Sequence, residues 1–572
     1  MNYKEKPFYL DDVDIAWVEN TLENMSLEEM IGQLFCPIGY STDPEYLNML
    51  LHFHIGGLFF RDGVAEEMQS TFTYAQEHTK IPLLIPSNLE AGGDGAATNG
   101  TAYGKQMACA AANDPVYAYR LGKIACSEGS ALGINWAFAP VVDIDRNYHN
   151  PITNVRTYGD DPEKVYAYAR EYLRAADECN MAVSIKHFPG DGVDAFLKGL
   201  SGDGVDERDQ HLLTSVNSLS MEEWDKSYGS IYQRLIDDGA KTVMAGHIAM
   251  PAYQEHFNPQ LKGKIVPASL SRELLVNLLR DKLGFNGLVI TDATPMVGFT
   301  AAGKRSETVP MAIENGCDMI LFNKDLKEDY QFMLDGYKNG LLSRERLLDA
   351  NRRILALKAS LRLHEKKIKR QLVPGKEALK NLRTTEHIQW AKELADQSVT
   401  LVKDIAENLP ISAKKTPRIL LEILGHFPSN ERVVGKVKEE LEKRNFQVFL
   451  YEKEDFEKGV DNVTAFKDKY DMVIYIGNVE NASNQTTNRL NWYTFWGQGN
   501  NVPWFAEEVP VIFISVANPY HLLDVPMIKT YINCYSNNDY VLEAVIAKIA
   551  GESRFKGVSP VDPFCGRIEL SY

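Results

Sequence analysis

From about residue 30 to 325, short runs of β-branched and aromatic residues alternate with longer stretches whose apolar positions recur at helical spacing. That alternation predicts parallel strands joined by helical crossovers. The runs fall at Gln33–Ile38, Gly57–Phe60, Leu83–Asn88, Asn135–Asp143, Ala182–Phe188, Thr242–Ile248, Gly287–Asp292 and Met319–Phe322. Eight parallel strands are what a (β/α)8 (TIM) barrel requires. The intervening segments carry helix signals: Ser26-Leu27-Glu28-Glu29 reads as a capping box before Met30 and Ile31, and Leu274, Leu275, Leu278 and Leu279 form one apolar stripe.

Beyond a helix at Leu347–Leu357 the chain turns polar and basic (HEKKIKR, then LVPGKEALKNLRTTEH), the composition of a partly helical linker. A second α/β pattern follows, with strands at Ile419–Leu424, Phe446–Tyr451, Met472–Gly477, Val511–Val516 and Tyr531–Tyr535 and a helix at Glu431–Lys443. It predicts a smaller, open, parallel sheet with helices on both faces. The expected division is a barrel at 1–362, a linker at 363–395 and a C-terminal α/β domain at 396–572. Gly190-Asp-Gly-Val-Asp194 recurs as Gly202-Asp-Gly-Val-Asp206, the mark of a duplicated loop.

Composition narrows the functions this architecture can serve. A net charge of −17 disfavours nucleic acid and anionic membrane surfaces as partners. The seven cysteines are scattered and never form C-x-x-C, and no run is apolar enough to span a bilayer, so the expectation is a cytoplasmic protein. There is no P-loop, no G-x-G-x-x-G after a strand and no H-E-x-x-H, so neither a nucleotide or other cofactor nor a metal is expected. The pair His52-Phe-His54 can be read as metal ligands or as packed residues.

In a barrel the groups that do chemistry stand where strands run into their following loops. Here those ends are polar: Asn88-Leu-Glu90, Asp143, Lys186-His187, His247 and Thr291-Asp292. Asp292 follows the apolar run Gly287-Leu-Val-Ile, so its carboxylate reaches the rim, where it can attack an anomeric carbon; the same position suits a helix N-cap. Asp209-Gln210-His211 places a carboxylate and an imidazole on one side of an extended segment, the arrangement of an oriented proton-transfer group. Lys186 and His187 can donate to sugar hydroxyls, although a lysine at a strand end can also form a Schiff base. Arg156 can clamp a substrate oxygen or form a structural ion pair.

Taken in order, Met25–Leu34, Glu90-Ala-Gly-Gly93, Arg156-Thr-Tyr-Gly-Asp-Asp161, Lys186-His-Phe-Pro-Gly190 and Thr291-Asp-Ala-Thr-Pro-Met296 resemble segments of glycoside hydrolase family 3, in the β-N-acetylglucosaminidase branch and its two-domain form. The resemblance implies that Asp292 is the nucleophile, that Asp209 and His211 are an acid/base dyad, and that Arg156, Lys186 and His187 bind the nonreducing sugar. Asn88 stands where the family usually has an aspartate, and the dyad loop is longer than usual. The expected activity is a retaining, exo-acting β-glycosidase working on a small β-glucoside or β-N-acetylglucosaminide, with Asn88 and His247 also facing substrate. A neutral histidine base and the missing strand-three carboxylate also suit phosphate as the acceptor, which makes a phosphorylase the alternative. An aldolase built on Lys186 and a non-catalytic sugar-binding protein are the other readings. In the second domain, Asn484–Arg489 with Trp492, Trp496 and Trp504 suit either an aglycone site or plain packing.

Overall fold

The computed structural model describes residues 1–61, 63–193, 209–451, 462–495, 498–499 and 501–572. The described chain divides into two compact units. The first comprises residues 1–102, 118–150 and 161–387; the second takes 103–117 and 151–160 together with 388–572.

In the first unit eight short strands, counted among the described residues, close a parallel ring. They are β1 (Phe35–Cys36), β2 (Phe59–Phe60), β3 (Pro86–Ser87), β4 (Trp136–Ala137), β5 (Ala182–Phe188), β6 (Thr242–Ala245), β7 (Leu288–Ala293) and β8 (Met319–Leu321). Seven form one continuous sheet in the order β1-β8-β7-β6-β5-β4-β3. The β2 segment fills the remaining gap: Gly56 and Gly57 donate to the Phe35 carbonyl on one side, and Leu58 donates to the Leu84 carbonyl on the other. All eight expected strands are therefore present; β5 has the expected bounds, β7 runs one residue further to Ala293, and the other six are shorter than expected.

Helices cover the ring as the apolar spacing predicts. Ser26 caps the helix Leu27–Gln33 in a reciprocal pair with Glu29, and Leu274, Leu275, Leu278 and Leu279 are all fully buried. Their helix, Glu273–Lys282, is wound more loosely than an α-helix, with i→i+5 bonding. Inside the ring Trp136 is fully buried and its indole N–H donates to Thr242 Oγ1 at 2.8 Å, so the polar edge of this large core residue is satisfied.

The second unit holds a six-stranded sheet: β9 (Thr400–Asp404), β10 (Arg418–Leu424), β11 (Gln447–Leu450), β12 (Met472–Gly477), β13 (Val511–Ser515) and β14 (Thr530–Asn533), in the order β9-β14-β13-β12-β10-β11. Both faces are covered. Ile419, Leu421, Ile474, Ile512 and Ile532 pack under the helices Asn430–Glu442 and Asp539–Ile549, while Leu420, Val473, Tyr475, Phe513 and Tyr531 form the opposite core. Burial on both faces is why these strands read as unbroken apolar runs. One strand of this sheet escaped the sequence reading. β9 pairs antiparallel with β14, so the sheet is mixed rather than wholly parallel; its half-polar sequence, Thr-Leu-Val-Lys-Asp, suits an edge.

No described helix is long and apolar enough to cross a membrane.

Candidate active site

Two ladder irregularities set the geometry of the barrel mouth. Along β5 and β6, Ile185 pairs with Val243 and Phe188 with Ala245, so Lys186 and His187 together oppose one residue. Along β7 and β8, Ile290 pairs with Met319 and Ala293 with Leu321, so Thr291 and Asp292 likewise oppose one residue. A bulge bends its strand and re-aims the side chains it carries. Both bulges fall on the residue pairs singled out for chemistry, and Thr291 Oγ1 accepts from Leu321 N at 3.0 Å, covering a ladder donor.

The Asp292 residue is 9% exposed; Oδ1 accepts from Ala293 N at 2.7 Å and Oδ2 lies 3.9 Å from His187 Nε2. Burial pushes its carboxyl up, but His187, His247 and His211 together with the Ala293 N–H outweigh that, and the group is held below the usual carboxylate range. A carboxylate kept ionised beside three imidazoles is suited to nucleophilic attack.

Each imidazole is held differently. His187 is oriented by Asp143, a fully buried residue whose Oδ2 lies 2.7 Å from His187 Nδ1 and whose Oδ1 accepts from the backbone of His187 and Asp191. His211 Nδ1 lies 2.6 Å from Asp209 Oδ1, and Asp209 is buried. The dyad segment is docked onto the chain beyond Asp292: Val297 N donates to the His211 carbonyl, Gly298 N to the Gln210 carbonyl, and Gln210 Oε1 accepts from His247 N at 2.7 Å. His247 is fully buried, with Nδ1 2.8 Å from Ser269 Oγ and Nε2 3.0 Å from the Ala293 carbonyl. Both its ring nitrogens are thus engaged by protein. Burial, opposed by Asp292, lowers its basicity.

Lys186 is buried and pairs with Glu90 Oε1 at 2.6 Å. An ammonium held by a carboxylate is the opposite of the neutral amine that a Schiff base needs. Glu90 belongs to the loop after β3, and that loop is fixed from below by Glu128. The fully buried Glu128 accepts from Thr101 N, Thr101 Oγ1 and Arg383 N and pairs with His387 Nδ1 at 2.7 Å. A Cβ at Gly93 would stand 1.9 Å from Glu128 Oε2, so the glycine is required there. Asn88, one residue past β3, is exposed and lines a cavity of about 310 Å³.

Arg156 lies elsewhere in the chain's organisation. It sits in the second unit, on the short 3-10 turn Asn154–Arg156, where its Nη1 is 3.4 Å from the Ile152 carbonyl. The other expected site residues, Asn88, Lys186, His187, Asp209, His211, His247 and Asp292, all belong to the barrel unit.

Several supporting groups carried little or no sequence signal. Asp143 was legible only as a polar strand end. Asp191 lies in a loop that Trp224 and Tyr228 pin through the Pro189 and Asp191 carbonyls, and a Cβ at Gly190 would strike the Tyr228 ring at 2.2 Å. Burial, reinforced by Asp143, pushes the Asp191 carboxyl up to about 8. Arg305 clamps the turn after Asp292: it donates to the Thr294 carbonyl at 2.9 Å and to Thr294 Oγ1 at 3.1 Å while paired in two places with the buried Asp329.

Among the described residues, Asp14, His364 and Glu365, rather than His52 and His54, bring potential ligand atoms within 4.8 Å of one another. Arg362 already sits 2.7 Å from Asp14 Oδ1. In the second unit Asn488 Nδ2 donates to the Pro151 carbonyl and Arg489 pairs with Asp524. Trp492 packs against that unit's core, and Trp504 meets Phe466 and Phe505 edge-on. Trp496 and the repeat at 202–206 lie outside the described residues.

Residues 26–357 match the glycosyl hydrolase family 3 N terminal domain. The chain is 43% identical over 570 residues, 98% of each chain, to a β-N-acetylglucosaminidase/β-glucosidase of Cellulomonas fimi. A structure of the β-glucoside phosphorylase BglX bound to 2FGlc superposes with a TM-score of 0.90 at 42% identity, covering 99% of both chains. A family 3 β-N-acetylglucosaminidase from Paenibacillus sp. str. FPU-7 shares the fold at a TM-score of 0.77 and 23% identity, covering 94% of this chain and 99% of that one.

Proposed function

Because the chain belongs to glycoside hydrolase family 3, we propose that it cleaves small β-glucosides or β-N-acetylglucosaminides with retention of configuration, through a covalent glycosyl ester on Asp292. One observation carries this reading: an ionised carboxylate at the end of β7, bulged into the mouth and surrounded by His187, His211 and His247. In the first step an Asp292 oxygen bonds to the anomeric carbon as the bond to the leaving oxygen breaks. His211 supplies the leaving group's proton; with Nδ1 engaged by Asp209, that proton comes from Nε2. In the second step the now neutral His211 takes the proton of the acceptor as it displaces Asp292. Lys186, His187 and Asn88 bind sugar hydroxyls, with Glu90 orienting Lys186 and Asp143 orienting His187. His247, engaged at both nitrogens, holds the Ala293 carbonyl and so fixes the nucleophile's direction.

The likeness to a phosphorylase over the whole chain supports a second reading, transfer of the glycosyl group to phosphate. A neutral imidazole base presents no fixed negative charge to an incoming dianion. Aryl β-glucosides and β-N-acetylglucosaminides, each incubated with and without phosphate and followed by NMR, test both readings. A β-configured first product supports retention, and an α-configured one overturns it. Sugar 1-phosphate with phosphate-dependent turnover supports phosphorolysis, and indifference to phosphate overturns it. Seven unpaired cysteines support action in the cytoplasm.

A further inference from the structure

We infer that the ends of β2, β3 and β8 form a phosphoryl-binding subsite at the barrel mouth, with Arg61 as its cation; this rests on the mouth being a glycoside site. Arg61 directly follows β2, so it emerges on the face where all eight strands end. Its guanidinium lies 5.8 Å from the centre of the Phe59 ring and 5.9 Å from that of Phe322, and the two rings meet edge-to-face at 5.1 Å. Arg61 is exposed and has no hydrogen bond or ion pair among the described residues. Other arginines of the barrel, Arg280, Arg305, Arg346 and Arg353, each hold a carboxylate. In a chain with 78 acidic and 61 basic residues, an arginine with no carboxylate partner among the described residues, at the mouth of a cavity, offers its positive charge to an anion.

The setting is built rather than incidental. Phe322 has a φ of +52°, a conformation disfavoured for a bulky side chain, and the Thr294 hydroxyl holds its carbonyl at 2.7 Å. Packing against two rings restricts the guanidinium before any ligand arrives, which lowers the ordering cost of binding. Arg61 and Asn88 line the same cavity of about 310 Å³. Asn88 brings amide donors and no charge at the end of β3; Asp94 is the one carboxylate among the described lining residues. A planar guanidinium fork with an amide beside it matches the oxygens of a phosphoryl group. That group has two possible sources: inorganic phosphate arriving as acceptor, or a phosphoryl substituent on the sugar.

Calorimetric titration of the full chain with inorganic phosphate, glucose 6-phosphate and glucose, repeated on Arg61→Ala and Arg61→Lys, tests the subsite without needing turnover. The expected result is binding of at least one phosphoryl ligand. Arg61→Ala weakens it at least about tenfold more than it weakens glucose, and Arg61→Lys restores part of the loss. Binding of inorganic phosphate marks the acceptor as the source; binding of glucose 6-phosphate alone marks the substituent. Failure of both to bind, or an equal loss for phosphoryl ligands and glucose, overturns the inference. Arg61-dependent binding without turnover of any β-glycoside leaves the subsite standing and overturns the proposed function; turnover with phosphoryl binding indifferent to Arg61 does the reverse.

Discussion

Replacing Arg305 by methionine separates what holds the barrel together from what aims Asp292. Arg305 and Asp329 are a buried pair, with side chains 14% and 0% exposed, joined by two hydrogen bonds. Removing the cation leaves Asp329, among the described residues, with Asn323 Nδ2 and Lys324 N as its side-chain donors, each at 3.2 Å. Breaking a buried pair from one side costs about 3–5 kcal/mol. Thr294, two residues beyond Asp292, loses both donors at once. If its turn relaxes by about 1 Å, kcat falls on the order of 100-fold. The double variant Arg305→Met/Asp329→Leu removes the stranded charge and recovers most of the stability, while Thr294 still lacks its donor and kcat stays low. Urea unfolding and aryl β-glucoside turnover measure the two effects separately. The reasoning fails if the single variant unfolds within about 1 kcal/mol of wild type, or if the double variant regains kcat along with stability.

Asp209→Asn removes the charge that orients His211, so cleavage of substrates with poor leaving groups falls about 100-fold and activated aryl glycosides lose much less; equal losses across leaving groups contradict proton donation by the dyad. Glu422 in β10 is pushed up to about 8 by burial, an effect the Asn501 hydrogen bond only partly offsets. Between an unfolded value near 4.5 and that folded value, the folded chain keeps a proton the unfolded chain has lost, so stability falls as pH rises through this window and levels off above it. Glu422→Gln escapes this, and its advantage in unfolding free energy grows from pH 5 to 8 by up to about 1.4 kcal/mol per unit; a constant difference refutes the assignment. Glu128→Ala strands the donors of Thr101, Arg383 and His387 and costs about 3–5 kcal/mol. Faster hydrogen exchange across 90–102, with reduced kcat/KM, checks that this loop also carries Glu90.

Periodicity placed every barrel strand because each run is apolar on both faces and bounded by turns, so length and spacing suffice. β9 was missed because an edge strand with one polar face resembles a loop continuation. Asp292, Lys186 and His187 could be singled out as candidates because they are polar residues at strand ends, and the structure places all three there. Their bulges were not, since a one-residue slip between ladders leaves no mark on composition. The partners Asp143, Ser269, Arg305 and Glu128 come from segments far from the residues they orient, and only the fold brings them close. His247 shows the same limit: a histidine at a strand end suggests a substrate ligand, yet its two nitrogens are taken by Ser269 and Ala293.

The most direct measurement is covalent trapping. Incubated with a 2-deoxy-2-fluoro β-glucoside bearing a good leaving group, the full chain gains the mass of one glycosyl group, and peptide sequencing places it on Asp292. A stable adduct on Lys186 or on another carboxylate, or steady turnover of the reagent by an Asp292→Ala variant, contradicts the account.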